Sequence, residues 1–534
     1  MTDFFDFVRA VVREAPLTLP IVAALLVVGA VAQVTLIVLF ARHAGAPLEP
    51  SLLIEHVWLV AGLLIIAVTL TGLSTALSIQ VGREVGTAAS LDLVDRIAGA
   101  RFDAVNAIGP ARLRTALTVD VEAAASAGGT LGLFWHAVVT AVLVFAVVLA
   151  LAPAVGSIML IVLLAVSVAE RTMMVMAKDA IHEALAADDR VADRIGALHA
   201  AGADFRLNRA RAADYRNSAL RPAILAAGRL RLIAGAVFIR RLVLFRVTFM
   251  VIGAASQPFL FATHDVVTAM FASLGLIFCF VSLNYAIIAA DTIQFGIDAR
   301  LRIDALSKIL GSQTQADGAP AHNAKTLTFE EARYAYPDGA FAIGPLNIGF
   351  DRPETTVVFG NNGSGKTTML RVLSGLLEAD AGRVMADGRP RLASERQTLF
   401  ATVFSDYHLF HKTHGATEGE RAALTAWIER LGLRQDVQLL GDTFSTRALS
   451  SGQRKRLALG VALAENRPIL LLDEWTADQS PGFRRWFYET LLPELKADGR
   501  LVIAVSHDDQ YRAHADRVIE MAGGIVKHPD EPLP

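Results

Sequence analysis

Residues 355–370 read TTVVFGNNGSGKTTML, and this stretch decides how the second half of the chain folds. A β-rich run ends at Gly360, and Gly365, Lys366 and Thr367 then open a helical pattern. The spacing matches the phosphate-binding loop G-x-x-x-x-G-K-[ST] in the strand–loop–helix context that it requires. Backbone N–H groups and the helix N-terminus then face the phosphates, Lys366 reaches the β- and γ-phosphates, and the Thr367 hydroxyl ligates Mg²⁺. The predicted phosphate-binding residues are Gly360, Asn361, Asn362, Gly363, Ser364, Gly365, Lys366, Thr367 and Thr368.

Further along the chain, an apolar run ends in two carboxylates. Residues 468–474 read PILLLDE, which is typical of a buried strand that delivers acids to the phosphate edge of a parallel sheet. Asp473 is predicted to hold Mg²⁺, directly or through water. Glu474 is predicted to orient and deprotonate the attacking water. The alternative is a strand that happens to end in solvated acids, which fits less well with a phosphate loop upstream.

Between these motifs stands LSSGQRKRLALGVAL, which begins at Leu449 and opens an amphipathic helix. The pattern L-S-x-G-Q just before an acidic strand resembles the signature sequence of ABC ATPases. The resemblance implies that Ser450 and the backbone of Gly452 bind the γ-phosphate of ATP held on the loop of a second copy. ATP would thus join two copies into a homodimer. The signature residues are Ser450, Ser451, Gly452 and Gln453, with Ser451 in place of the commoner glycine.

Three further positions follow from the same resemblance. His507, after the apolar run LVIAVS, matches the switch histidine, which contacts the γ-phosphate and helps to hold the catalytic water. Tyr336 in RYAYP lies where ABC domains stack a ring on adenine, with Tyr334 packing beneath it. The segment VFSDYHLF resembles the Q-loop, but Ser405 stands where the usual glutamine would lie. Either Ser405 or Asp406 could take over the Mg²⁺ or water contact of that glutamine.

The part of the chain before about residue 300 is strongly apolar. A hydrophobic content of 53%, a mean hydropathy of +0.44 and 19% charged residues in 534 indicate at least two domains, one of them in a membrane. Segments long enough to cross about 30 Å of hydrocarbon lie near 17–40, 52–81, 128–151, 154–176, 232–262 and 265–290. We therefore predict six membrane helices, the first of them a retained helix rather than a signal peptide.

Positive charge lies mainly in two long loops, 82–127 and 177–231, while the outer loops contribute almost only Arg42. The positive-inside rule then places the N-terminus, both loops and the ATPase domain in the cytoplasm. The loops are rich in Ala and poor in Gly and Pro, so we expect the membrane helices to continue into the cytoplasm. The net charge of −2 gives no indication of a nucleic-acid partner, and the single cysteine, Cys279, excludes a disulfide framework.

Residues 311–324, GSQTQADGAPAHNA, have the composition of a flexible linker. We predict an all-α six-helix transmembrane domain over 1–310, the linker over 311–324, and an α/β P-loop ABC nucleotide-binding domain over 325–534.

This arrangement resembles the type IV exporter half-transporters. The stretch DEWTADQSPGFRRWFYETLLPELKADGRLVIAVSHDDQY, from Asp473, further resembles the bacterial cyclic-peptide exporters associated with syringomycin-like lipopeptides and pyoverdine-like siderophores. The resemblance implies ATP hydrolysis coupled to export of a peptide or peptide-derived natural product, by alternating access of a homodimer surrounded by membrane lipid. A lipid flippase, a multidrug exporter, and an ATP-gated channel or sensor are the alternatives.

Charged residues within the last three spans are costly in hydrocarbon and are not expected to face lipid. They are Glu170, Arg171, Arg240, Arg241, Arg246 and Asp291. One explanation is snorkelling or ion pairing near the inner interface. The other is an inward-open cavity that attracts an acidic or carboxylate cargo, with Arg246 as the best candidate. Trp135, His136, Asn284 and Tyr285 could also face such a cavity, with helix packing as the alternative.

Overall fold

The structure is a computed structural model that describes residues 2–43, 50–312, 323–336, 339, 341–446 and 448–527. The chain forms two compact units. One comprises Met1–Asp92 and Arg114–Asp304, and the other Leu93–Leu113 and Ala305–Pro534. Most of the expected linker, residues 313–322, lies outside the described residues, so the linker and the domain bounds stay predictions.

All six expected membrane helices are present in the first half of the chain. They are Thr18–His43, Pro50–Gly99, Val121–Leu151, Pro153–Ala200, Arg221–Thr263 and Val266–Ser312, and the helix Thr2–Glu14 precedes them. Several of them run far beyond the predicted spans, because the Ala-rich sequence that follows each span favours continued helix. The shorter pieces are Phe102–Ile108, Pro110–Thr115, Gly202–Leu207 and Arg209–Asp214, with π-helical turns at Ala116–Asp120 and Tyr215–Leu220.

Length and hydropathy identify four membrane-spanning stretches among the described residues. They are Thr18–Leu36, Trp58–Gly99, Pro110–Leu151 and Val266–Gly311. In the fourth long helix the apolar stretch is the shorter Pro153–Val166. The fifth long helix carries Arg240, Arg241 and Arg246, which lower its hydropathy. The six helices are therefore confirmed as helices, and four of them also meet the hydropathy criterion for a span.

The charged groups of the fifth and sixth long helices differ in their surroundings. Arg241 and Asp291 are both buried and form an ion pair. Arg246 is exposed, and its Nε donates a hydrogen bond to Asn284 Oδ1 at 3.1 Å. Pairing therefore accounts for Arg241 and Asp291, whereas the described contact of Arg246 is with a neutral side chain. The side chains of Glu170 and Arg171 lie outside the described residues.

The other residues considered for a cavity also differ from one another in how far they are buried. Trp135 and Tyr285 are exposed, at 47% and 65% of their surface. His136 is half-buried, and its Nδ1 lies 3.2 Å from the Leu26 carbonyl oxygen, which indicates helix packing for this residue.

The second unit is built on a six-stranded sheet. Its order is Ile525–Lys527, Arg517–Ala522, Glu354–Phe359, Leu501–Val505, Ile469–Asp473 and Phe400–Val403, with all neighbours parallel except the first pair. Successive residues of the central strands point to opposite faces, so Leu471 and Ile503 enter one apolar core while Leu472 and Val502 enter another. Burial on both faces explains why these strands read as continuous apolar runs.

Smaller elements surround this sheet. An antiparallel sheet has the order Ala342–Asp351, Thr326–Ala335, Ala381–Ala386 and Arg389–Pro390, and Leu439–Leu440 pairs with Thr443–Phe444. The helices are Lys366–Ser374, Ala393–Gln397, Glu418–Arg430, Ser451–Ala464, Pro481–Trp486 and Leu492–Ala497. A π-helical turn spans Phe487–Leu491, and 3₁₀ turns span Trp475–Asp478 and Asp509–His514. Because the central strands are parallel, the residues that follow Phe359, Asp473 and Val505 meet at one edge of the sheet.

Candidate nucleotide-binding site

The phosphate loop connects the strand Glu354–Phe359 to the helix Lys366–Ser374, as the sequence predicts. Gly365 caps this helix with a φ of +100°, and a Cβ there would lie 2.7 Å from the side chain of Ile343. Glycine is therefore required at this position both by the backbone conformation and by the close packing.

Lys366 is buried within the loop that it follows. Its Nζ donates hydrogen bonds to the carbonyl oxygens of Gly360 at 2.7 Å and Asn361 at 2.9 Å. Burial lowers the pKa of the Lys366 ammonium, and the negative charges of Glu474 and Asp473 oppose that shift. The loop thus holds a partly desolvated cation where a phosphate would bind.

Asp473 lies at the end of its strand, and the two oxygens of its carboxylate differ in their hydrogen bonds. Oδ2 accepts hydrogen bonds from Thr367 Oγ1 at 2.9 Å and from Ser405 Oγ at 3.2 Å. Oδ1 is buried and has no hydrogen-bond partner among the described residues. A carboxylate beside two hydroxyls, with one buried oxygen unpartnered, is an all-oxygen donor set of the kind that Mg²⁺ prefers. Thr367 and Asp473 would therefore hold the ion, which would neutralise charge on the nucleotide phosphates.

The structure distinguishes between Ser405 and Asp406, the two candidates to replace the usual glutamine of the Q-loop. Ser405 contacts Asp473, whereas Asp406 Oδ2 accepts a hydrogen bond from Arg371 at 2.9 Å. The Arg371 guanidinium also lies 5.6 Å from the Phe102 ring centroid and 5.7 Å from that of Phe404. Asp406 is thus engaged with a cation, and the geometry favours Ser405 as the residue that reaches the Asp473 carboxylate.

We expect Ser405→Ala to weaken divalent-cation binding by about 3- to 10-fold, because the Asp473 carboxylate loses the hydroxyl that fixes its orientation. Electron paramagnetic resonance with Mn²⁺ as the probe, in the presence of a non-hydrolysable ATP analogue, measures this affinity directly. Asp406→Asn is the matched control, and little change is expected because it leaves the bond between Ser405 and Asp473 in place. A larger effect of Asp406→Asn than of Ser405→Ala would contradict the assignment.

Glu474 and His507 come together at the same edge of the sheet. His507 Nε2 lies 2.9 Å from Glu474 Oε1, and both side chains are partly exposed. Glu474 has a φ of +50°, which is uncommon for a residue with a Cβ and costs of order 1–3 kcal/mol. The pair can hold a water molecule and accept its proton, which is what hydrolysis of a terminal phosphate requires.

The predicted adenine-stacking residue lies beside the phosphate loop. The Tyr336 hydroxyl is 3.3 Å from Thr368 Oγ1, and its ring meets the ring of Tyr334 edge-on, with centroids 5.2 Å apart. Tyr334 is buried, and burial raises its pKa to about 12. Tyr334 thus packs in the core, and Tyr336 is half-buried next to the phosphate loop.

The signature residues occupy the start of the helix Ser451–Ala464. Ser450 caps the helix, since its Oγ accepts from the Gln453 N–H at 3.3 Å while Gln453 Oε1 accepts from the Ser450 N–H at 2.8 Å. A Cβ on Gly452 would lie 2.7 Å from the Asp478 carbonyl oxygen, so no larger residue fits without displacing backbone. Among the hydrogen bonds of the described residues, none joins the signature to the phosphate loop. Lys366, Thr367, Asp473, Glu474 and His507 thus lie at one edge of the sheet, whereas Ser450, Ser451, Gly452 and Gln453 lie at the start of a separate helix.

Two basic residues that contact this site were not predicted from the sequence. Arg371 holds the segment that carries Ser405, and Lys455 donates a hydrogen bond to the backbone of Glu474. The only sequence signal for Lys455 is its place two residues after the signature, which does not predict its partner.

The fold and the site together define a P-loop nucleotide-binding domain joined to a helical membrane domain. A sequence profile described as "ABC transporter" matches residues 343–477. The ATP-binding protein EcfA1 of Thermotoga maritima is 30% identical over 214 residues, which cover 80% of EcfA1 and 38% of this chain. This chain is a membrane protein that belongs to the ABC transporter family, and its second half is the ATPase domain of that family.

Other relatives match about a third of the chain. The ATP-binding protein SyrD of Pseudomonas syringae pv. syringae is 43% identical over 193 residues, or 35% of this chain and 34% of SyrD. A probable syringafactin export ATP-binding/permease protein, SyfD, of Pseudomonas syringae pv. syringae is 30% identical over 205 residues, or 35% of this chain and 30% of SyfD. The chain thus matches about a third of each of these two proteins.

The whole fold has a counterpart among solved structures. A bacterial Atm1-family ABC exporter with ATP bound matches 97% of this chain and 94% of its own, with a TM-score of 0.79 and 16% identity. The chain has the fold of a type IV half-transporter.

Proposed function

We propose that this chain is an ATP-driven exporter that works as a homodimer by alternating access. One observation carries the proposal. Within a single chain the structure assembles Lys366, Asp473, Glu474 and His507 at one edge of the sheet, while no hydrogen bond between described residues joins the signature at Ser450 to the phosphate loop. A complete ATP site then takes its signature from a second copy.

ATP hydrolysis in this proposal uses the groups described above. Lys366 binds the β- and γ-phosphates, and Thr367 and Asp473 hold Mg²⁺. Glu474 orients the attacking water and accepts its proton, and His507 holds Glu474 and the water in place. Ser450 and the backbone of Gly452 bind the same γ-phosphate from the partner copy, so two ATP molecules close the dimer and hydrolysis reopens it.

The proposed cargo is a peptide or peptide-derived natural product, exported across a bacterial inner membrane with the ATPase domain in the cytoplasm. Similarity to the probable syringafactin export protein supports this class of cargo. A second support is the exposed Arg246, whose guanidinium is oriented by Asn284 and could bind the carboxylate of a peptide.

The test compares peptide-like metabolites in the medium and in the cell pellet by mass spectrometry. Native cells are compared with cells whose only copy carries Glu474→Gln. A peptide that is present in the medium of native cells, missing from the medium of the mutant cells and accumulated in the mutant pellet establishes export and identifies the cargo. Identical profiles would refute peptide export, and ATPase assays with added lipids would then distinguish a lipid flippase or multidrug exporter from an ATP-gated channel or sensor.

We expect Arg246→Ala to weaken cargo binding by about 10- to 100-fold, the loss that accompanies removal of a hydrogen bond to a charged group. The measurement is the amount of peptide exported per ATP hydrolysed in proteoliposomes. Arg240→Ala is the matched control, because it removes an exposed arginine from the same helix. If the two variants exported the same amount of peptide per ATP hydrolysed, Arg246 would not contact the cargo.

A further inference from the structure

Lys455 and the turn that carries Glu474 are joined by two hydrogen bonds that run in opposite directions. The Lys455 ammonium donates to the Glu474 carbonyl oxygen at 3.0 Å, and the Trp475 indole N–H donates to the Lys455 carbonyl oxygen at 2.8 Å. The two bonds connect the helix Ser451–Ala464 to the residues directly after the strand Ile469–Asp473. We call this reciprocal pair the Lys455–Trp475 clamp.

The Trp475 side of the clamp is buried, and the Lys455 side chain is largely shielded from solvent. Trp475 is 1% exposed and packs on the rings of Phe483 and Phe487, with centroids 6.1 and 4.9 Å away. The Lys455 side chain is 12% exposed, and its ammonium also pairs with Asp478 at 2.9 Å. A largely shielded ammonium with one carboxylate and one carbonyl partner is held by both contacts, because losing either one leaves its charge less well compensated.

The carbonyl group that Lys455 contacts belongs to the residue with the strained backbone. Glu474 has a φ of +50°, and its N–H donates to the Val505 carbonyl oxygen at 3.3 Å. Strained conformations of this kind persist only when the surrounding structure holds them. Lys455 on one side and Val505 on the other hold the Glu474 backbone, which sets the direction of its side chain toward His507.

The same helix carries the signature. Gln479 Nε2 donates to the Gly452 carbonyl oxygen at 3.2 Å, so the turn after Glu474 also contacts the first turn of the helix. Ser450, Gly452 and Lys455 lie within two turns of one α-helix and move together. The signature and the catalytic turn of one copy are therefore joined by hydrogen bonds at both Gly452 and Lys455.

We propose that Lys455, with Trp475, is a positioning residue for Glu474 and couples the two ATP sites of the dimer. The inference rests on the proposed function, in which the signature serves the ATP of the partner copy while Glu474 serves the ATP of its own. When the signature engages the partner's γ-phosphate, the clamp transmits that displacement to Glu474. Binding at one site then sets the geometry of the catalytic carboxylate at the other.

The test measures phosphate release against ATP concentration for the full-length protein in lipid nanodiscs. Lys455→Met removes both ammonium contacts, and we expect kcat to fall by about 10- to 100-fold, the usual effect of a small misplacement of a catalytic group. KM is expected to stay close to the native value because the phosphate loop is untouched, and the Hill coefficient is expected to fall toward unity. Trp475→Phe keeps the buried ring, removes only the indole donor, and should act in the same direction.

Lys496→Met is the matched control, since it also breaks a Lys–Asp pair but at an exposed site, with Asp516. The double variant Lys455→Met/Trp475→Phe should be no slower than the slower single variant, because both changes open the same clamp. Native kcat and Hill coefficient in Lys455→Met would overturn the inference. The inference would also be overturned if the variant lost kcat together with a higher KM and a lower unfolding temperature. That combination indicates that Lys455 has only a structural role.

Failure of the inference differs from failure of the proposed function. If Glu474→Gln hydrolyses ATP at the native rate, the proposed chemistry is wrong. If Glu474→Gln is inactive while Lys455→Met is native, only the clamp is wrong.

Discussion

Replacing Glu474 with glutamine lowers the ATP turnover number by about 10²- to 10⁴-fold, the contribution usual for a general base. The amide cannot accept the proton of the attacking water, yet it has nearly the same shape and can still contact His507 Nε2, which lies 2.9 Å from the native carboxylate. ATP binding is expected to persist, because Lys366 and the phosphate loop are unchanged. The measurements are phosphate release and the affinity of a fluorescent ATP analogue.

Glu489→Gln is the control for this prediction. Glu489 lies on the same domain in an exposed contact with Arg485, so its loss should affect neither quantity. Turnover by Glu474→Gln within a few-fold of native would assign the proton transfer to another group. Loss of ATP binding together with turnover would instead show that Glu474 supports the fold of the site.

Replacing Arg241 with methionine destabilises the membrane half by about 3–5 kcal/mol, the usual effect of breaking a buried ion pair from one side. The carboxylate of Asp291 would stay buried without its guanidinium partner. The double variant Arg241→Met/Asp291→Leu should recover most of the lost stability, because apolar groups can fill the same space without a charge to desolvate. The midpoint of thermal unfolding in detergent measures both effects.

Arg240→Met serves as the control, because Arg240 is the exposed neighbour on the same helix and the change removes the same charge. Equal midpoints for Arg241→Met and Arg240→Met would show that the buried pair is not a source of stability. A double variant less stable than either single variant would show that Arg241 and Asp291 act through separate neighbours.

The two halves of the chain differ in how directly their function can be predicted. The ATP site consists of short motifs, each complete within one strand–loop–helix segment, and the parallel sheet brings their ends to one edge. The proposed cargo site consists of single side chains on long helices. Arg241 and Arg246 differ by five positions on one helix, yet only the first is buried and paired with Asp291.

The sequence by itself determined the six helices, their continuation beyond the membrane spans, the phosphate loop, the strand that ends at Asp473 and the helix that follows the signature. These features depend on helix and strand propensity, on hydrophobic periodicity and on helix capping, all of which act over a few residues. The hydrogen bonds between Ser450 and Gln453 are an example of such capping. Only the tertiary structure decided that Ser405 rather than Asp406 reaches Asp473, that Arg241 pairs with Asp291, and that Lys455 holds the Glu474 turn. Each of these contacts joins residues far apart in the chain, and burial selects the partner, because a desolvated charge or hydroxyl is stable only beside the group that the fold brings to it.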